Sequence, residues 1–156
     1  MESGYRLAAG TLRCVTGPLQ HRSTYVGQGG RLTKIRRLAI VSIPVREQER
    51  SKAFYRDVLG FQVIADNPFQ EDARWIQLAP PGAETAITLV TWFEDMPPGC
   101  VQGLVLETDD IDGAYQALSE RGLQLDPIAD APWGRYTTFS DPDGNGWVLQ
   151  QSTARA

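Results

Sequence analysis

The order of apolar runs along this chain predicts an α+β fold made of two βαβββ modules in tandem. Three observations predict it. A strand–helix–strand–strand–strand order occurs twice, each helix ends at a glycine (Gly60 and Gly122), and the strands are short, β-branched and separated by Pro/Gly turns. A single βαβββ unit cannot bury both its helix and its sheet, so the two must pack together.

The elements follow in order. Leu38–Val45 (LAIVSIPV) reads as a buried strand. Arg46–Leu59 places Ala53, Phe54, Val58 and Leu59 near helical spacing, with charges opposite, and Gly60 suits the residue after a helix end. Phe61–Ala65, Arg74–Leu78 and Ala86–Thr91 complete the first module, with Pro80-Pro81-Gly82 as a turn. The segment Trp92–Cys100 serves as a lid or as the linker between modules, the linker being the simpler role. In the second module Val101–Thr108 is a strand, and Ile111–Arg121 is a helix capped by Asp109 or Asp110. Leu123–Leu125, Arg135–Ser140 and Gly146–Gln151 are three further strands. The turn Asp141-Pro142-Asp143-Gly144-Asn145 joins the last two, Pro142 presetting φ while Gly144 and Asn145 tolerate positive φ.

Composition bounds the function. The chain has 156 residues, 42% of them hydrophobic and 22% charged, enough for one domain with its own core. Residues 1–34 are rich in Gly, Ser, Thr and Arg with no sustained period, and are expected to be a poorly ordered tail before a domain over 35–153. Of 15 basic and 19 acidic residues, seven basic and one acidic fall within 1–37, leaving 8 basic against 18 acidic in the rest. A body with that acidic excess repels phosphate backbones, so nucleic acid is not an expected partner. No apolar run reaches membrane-spanning length and no signal-peptide core follows Met1, so no membrane partner is expected. Cys14 and Cys100 are far apart and form no CxxC pair, which points away from a disulfide framework or thiolate zinc site and toward a cytoplasmic location.

Two strings are more specific: Ser42-Ile43-Pro44-Val45 followed by Ala53-Phe54-Tyr55-Arg56-Asp57-Val58-Leu59-Gly60-Phe61, and the later Asp141-Pro142-Asp143-Gly144-Asn145. With the duplicated modules (about 37–93 and 100–152) they make the chain resemble the vicinal oxygen chelate superfamily of glyoxalases, bleomycin-resistance proteins and dioxygenases. The resemblance implies that the two modules form a U-shaped cup of mixed sheet. In metal-dependent relatives four His or Glu ligands project into that cup. Carried onto this sequence, the ligand positions fall on Ile40, Thr88, Gly103 and Val148. Ile, Gly and Val offer no donor, and the sole histidine is His21 in the tail. We therefore expect no metal and no other cofactor, and neither lyase nor dioxygenase chemistry of the metal-dependent kind.

Strand alternation then names the residues that share parity with those positions and should line the cup: Ile40, Ser42, Thr88, Val90, Trp92, Val105, Glu107, Val148 and Gln150, joined from neighbouring strands and loops by Trp75, Trp133, Arg135 and Tyr136. Apolar and aromatic walls with a few polar groups suit a small molecule. Each residue also has a plainer role. Trp75 and Trp92 suit a core or a dimer interface, Arg135 a solvent-facing strand position, Glu107 a solvated charge, Asp141 and Asp143 simple turn formation, and Arg74 a cation–π contact with Trp75. Three functions follow: a metal-free binding protein for an aromatic or apolar compound, a metal-free enzyme of lyase or isomerase type using Glu107, Arg135 or Tyr136, and a non-catalytic dimeric interaction module. A homodimer is expected in each case.

Overall fold

The structure, a computed structural model, describes residues 34–153. Residues 1–33, which carry nearly all of the tail expectation together with Cys14 and His21, lie outside the described residues. Two four-stranded sheets emerge in the anticipated order. The first module comprises β1 (Ile40–Pro44), α1 (Gln48–Ala53), β2 (Gln62–Gln70), β3 (Ala73–Ala79) and β4 (Ala86–Val90). The second comprises β5 (Leu104–Glu107), α2 (Ile111–Glu120), β6 (Ala129–Ala131), β7 (Gly134–Ser140) and β8 (Gly146–Ser152). The strand orders are β1-β4-β3-β2 and β5-β8-β7-β6, with β1–β4 and β5–β8 parallel and the other pairs antiparallel. The duplication is thus exact in topology.

Local chemistry sets the helices. Glu47 caps α1, its carboxylate accepting from the backbone N–H groups of Glu49 (2.8 Å) and Arg50 (2.6 Å). Beyond Ala53 the helix widens into a π-turn over Phe54–Val58, which sets Tyr55 fully inside. Asp110, rather than Asp109, caps α2 through Gly113 N–H at 3.0 Å. Gly60 (φ 75°) and Gly122 (φ 85°) both leave their helices in the left-handed region, as expected of helix-ending glycines.

Three expectations need correction. Leu123–Leu125 is not a strand: Leu123 is buried in the core and its N–H closes the helix end on Leu118 O, so its backbone is already committed. Asp126 N–H reaches Thr138 O at 2.9 Å, but Pro127 offers no donor to continue the ladder, and β6 forms only at Ala129. Strand β2 runs well past Ala65 to Gln70, carried through Pro68 by two register irregularities. Asn145 does not take positive φ; within that turn only Gly144 (φ 93°) does.

The core sits on the helix side of both sheets. Ile43, Val45, Ile76, Leu78, Ile87 and Leu89 from the first sheet meet Phe139, Trp147 and Leu149 from the second. Tyr55 and Phe61 bridge them, their rings 5.8 and 6.5 Å from Trp147.

The turn Asp141–Asn145 does more than reverse the chain. Buried Asp141 accepts from the Tyr55 hydroxyl (2.8 Å), from Asn145 Nδ2 (2.8 Å) and from the backbone of Asp143 (2.9 Å) and Asn145 (2.8 Å). Asn145 in turn donates to Pro44 O (3.0 Å) and accepts from Gly99 (3.2 Å) and Val101 (3.3 Å). Asp143, with its side chain fully covered, takes Arg50 (2.7 Å), Arg46 (3.3 Å) and the Ser51 hydroxyl (3.1 Å) from the start of α1. The two strings that carry the family resemblance therefore bind each other, and form the polar latch between modules. Burial, and then the Asp141 carboxylate, hold the Tyr55 hydroxyl far above the ordinary tyrosine range.

Candidate functional site on the open sheet faces

Because side chains alternate along a strand, every residue opposite the core set lies on the open face of its sheet. The register puts Ser42 beside Thr88 and Thr88 beside Gln77 on the first sheet, with Ile40 and Val90 in the same parity. On the second it puts Val105 beside Val148, and Glu107 beside Gln150, which pairs with Tyr136. The parity expectation for Ile40, Ser42, Thr88, Val90, Val105, Glu107, Val148 and Gln150 thus corresponds to one face of each sheet.

The faces differ in cover. All five residues of β4 are buried, including Thr88, whose hydroxyl donates to Ile76 O at 3.1 Å. On β5 burial alternates, and Val105 is 54% exposed.

Aromatic residues gather on both faces. Trp75 and Trp92 stack with centroids 6.4 Å apart and planes 25° apart. Phe69 lies 5.8 Å from Trp75 and 4.8 Å from Trp92, and Phe93 5.9 Å from Trp92. A hollow of about 460 Å³ bounded by Glu71, Asp72, Ala73, Thr91 and Trp92 adjoins this group. On the second sheet Trp133, 47% exposed, packs on Tyr136 at 5.1 Å. Phe69 lies beyond the strand end that the sequence predicts at Ala65, and strand parity does not single out Phe93 or Gln77, the latter accepting weakly from Trp75 Nε1 at 3.4 Å.

Two basic residues behave differently from expectation. Arg135 does not join the open face; its guanidinium grips Asp112 on α2 through Nη1 (2.6 Å) and Nη2 (2.9 Å). Tyr136 faces the other way, as consecutive strand residues must. Arg74 makes no cation–π pair with Trp75. It bonds Glu49 on α1 at 2.7 Å and Asp66 through both Nε and Nη2. Glu107 is exposed and accepts from the Ser152 hydroxyl, so the weak catalytic candidates Glu107, Arg135 and Tyr136 are not assembled into one constellation.

The segment Trp92–Cys100 is a linker. Turns at Met96 and Cys100 fold it back, and Gly99 presses so closely on the latch that a methyl group there would stand 2.7 Å from Asp143 O. A cavity of about 690 Å³ lies between the modules at the β5 edge, with Val41, Ile87, Leu106 and Trp147 among its apolar walls and Glu107 and Arg121 among its polar ones.

A model of the "Glyoxalase/Bleomycin resistance protein/Dioxygenase superfamily" matches residues 37–149. The chain belongs to this superfamily. Its relatives include YetH of Bacillus subtilis (strain 168), 33% identical over 121 residues, which cover 75% of this chain and 99% of YetH. Among solved structures, TnmS3, an antibiotic binding protein from Streptomyces sp. CB03234, is 45% identical with a TM-score of 0.74, covering 78% of this chain and 99% of that one. A superfamily member from Sphaerobacter thermophilus is 38% identical with a TM-score of 0.70, covering 76% and 98%.

Metal-dependent members of this superfamily require donors that these positions do not supply. Ile40 and Val148 are hydrocarbon, Gly103 precedes β5 in a left-handed turn (φ 75°), and the Thr88 hydroxyl is spent on Ile76 O. Among the described residues no three His, Cys, Asp or Glu side chains come together to hold an ion. The donor set does not fit a divalent metal.

Among the described residues no helix is long and apolar enough to cross a membrane.

Proposed function

We propose that this protein is a metal-free member of its superfamily that binds a small aromatic or apolar molecule on the open sheet faces, without cofactor. The observation that carries the reading is the gathering of Phe69, Trp75, Trp92 and Phe93 on one face and of Trp133 and Tyr136 on the other. Aromatic rings left at a surface without burial in the core are suited to stacking on a planar ligand. The antibiotic binding of TnmS3, at 45% identity, supports a binding role over a catalytic one. So does the separation of Arg135 from Glu107 and Tyr136 across two faces of one sheet.

The test is fluorescence titration with a neutral planar compound such as anthraquinone, read on the four tryptophans. Saturable quenching that weakens in Trp75→Ala or Trp133→Ala is the expected result. Quenching that never saturates, or is indifferent to both substitutions, would reject the reading. Elemental analysis of untagged protein purified without chelators is expected to find substoichiometric metal; one ion per chain would restore metal chemistry.

We also propose a homodimer. Strands β1 and β5 are each paired on one side only, and residues of both line the 690 Å³ cavity. Light scattering is expected to give twice 17.2 kDa, and a monomer mass at micromolar concentration would remove this part.

A further inference from the structure

The open faces of the strands carry an acidic side chain and no basic one. The eight strands contain two basic residues, Arg74 and Arg135, and both turn to the helix side. Arg74 is held there by Asp66 and Glu49, and Arg135 by Asp112. The strands contain three acidic residues. Asp66 faces the helix side with Lys52 and Arg74, and Asp130 is the register partner of Arg135. Glu107 alone lies on an open face.

Its setting is built from the sheet itself. Tyr136, Gln150 and Glu107 form one row across β7, β8 and β5. At about 4.8 Å per strand this puts Glu107 roughly 10 Å from Tyr136, one tricyclic ring system away from the Trp133–Tyr136 stack. Gln150 Nε2 donates to Ser152 Oγ at 3.1 Å, and the Ser152 hydroxyl donates to Glu107 Oε1. Glu107 Oε2 has no hydrogen-bond donor among the described residues. Val105 and Val148, side by side in register, floor the adjacent strip. The first sheet repeats the theme, for the charged groups sharing a hollow with Trp92 are Glu71 and Asp72.

An aromatic platform with a carboxylate at its end, and no cation among the strand side chains of its face, selects against anions and favours a positive charge. The ring faces attract a cation through their quadrupole, and the carboxylate attracts it directly. We propose that the ligand is a planar aromatic cation, carrying a protonated amine or ring nitrogen, with Glu107 as its counter-ion. This rests on the reading of the open faces as the ligand surface.

Three tricyclic probes of similar shape and different charge at neutral pH separate the two ideas: aminoacridine (cation), phenazine (neutral) and anthracenecarboxylate (anion). Each is titrated into the full chain and into Glu107→Gln, with tryptophan quenching and equilibrium dialysis as readouts. Aminoacridine is expected to bind about tenfold more tightly than phenazine, and to lose about five- to tenfold in Glu107→Gln and in added salt. Phenazine affinity should not move. Equal affinity for all three, tighter binding of the anion, or a Glu107→Gln variant that leaves aminoacridine unchanged overturns the charge selection while leaving aromatic binding intact. No binding of any probe overturns both.

Discussion

The two faces of each sheet are built on opposite plans. The helix side carries the hydrophobic core, and most of its polar groups are paired: Asp141, Asn145 and Asp143 accept or donate at nearly every available atom, Arg74 and Arg135 are held by carboxylates, and Trp147 Nε1 is buried without a partner among the described residues. The other side leaves Trp133, Phe69 and Phe93 about half exposed and Glu107 with a free oxygen. Paired polar groups are therefore concentrated on the helix side, while the exposed part of the open side, outside the buried strand β4, is free to vary with the ligand.

Substitutions on the two faces should separate cleanly. The largest effect belongs to Asp141→Ala, which strands buried donors on Tyr55 and Asn145 and is expected to cost about 3–4 kcal/mol in urea denaturation. A loss under about 1 kcal/mol would mean that water replaces the latch. Gly99→Ala comes next. Its φ of 88° disfavours any side chain, and the methyl group meets the Asp143 carbonyl, so about 2 kcal/mol is expected. Wild-type stability at that variant would show the linker to be free of the latch.

The third effect is a pH dependence. Tyr55 keeps its proton in the folded chain well above the unfolded value of 10.0. Its contribution is complete below that value and is lost as pH rises from there toward the folded value. Wild type should lose up to roughly 1.4 kcal/mol per pH unit above it, a slope that Tyr55→Phe should lack. Parallel stability curves for the two proteins would contradict this. The smallest effect sharpens the comparison. Trp133→Ala should change stability by less than about 1 kcal/mol while weakening aromatic probes several-fold. A large stability loss there would make the open face part of the core.

Much of this division is readable in the sequence, and the exceptions are instructive. Alternation assigned Ile40, Ser42, Val105 and Val148 to one face because their strands are regular and pair in unbroken register. The same rule, applied strictly, forbids Arg135 and Tyr136 from sharing a face. Phe69 was hidden because Pro68 looks like a strand end, whereas the edge position of β2 tolerates a missing N–H. The latch could not be read from spacing at all. Asp141 and Asp143 carry good local reasons for a turn, and nothing local says that Tyr55, Arg50 and Ser51 will meet them. Arg74 shows the same limit: its neighbour in sequence is Trp75, yet its partners are Asp66 and Glu49.

The span of the latch bears on how the chain is made. Tyr55 and Asp141 are 86 residues apart, and Pro44 and Asn145 are 101 apart. During synthesis the first module leaves the ribosome with the Tyr55 hydroxyl and the α1 arginines lacking these partners, and waits for the turn between the last two strands of the second module. Its completion is thus postponed until the second module is made, and a chain stopped short of Asp141 would be a natural target for chaperones or proteases.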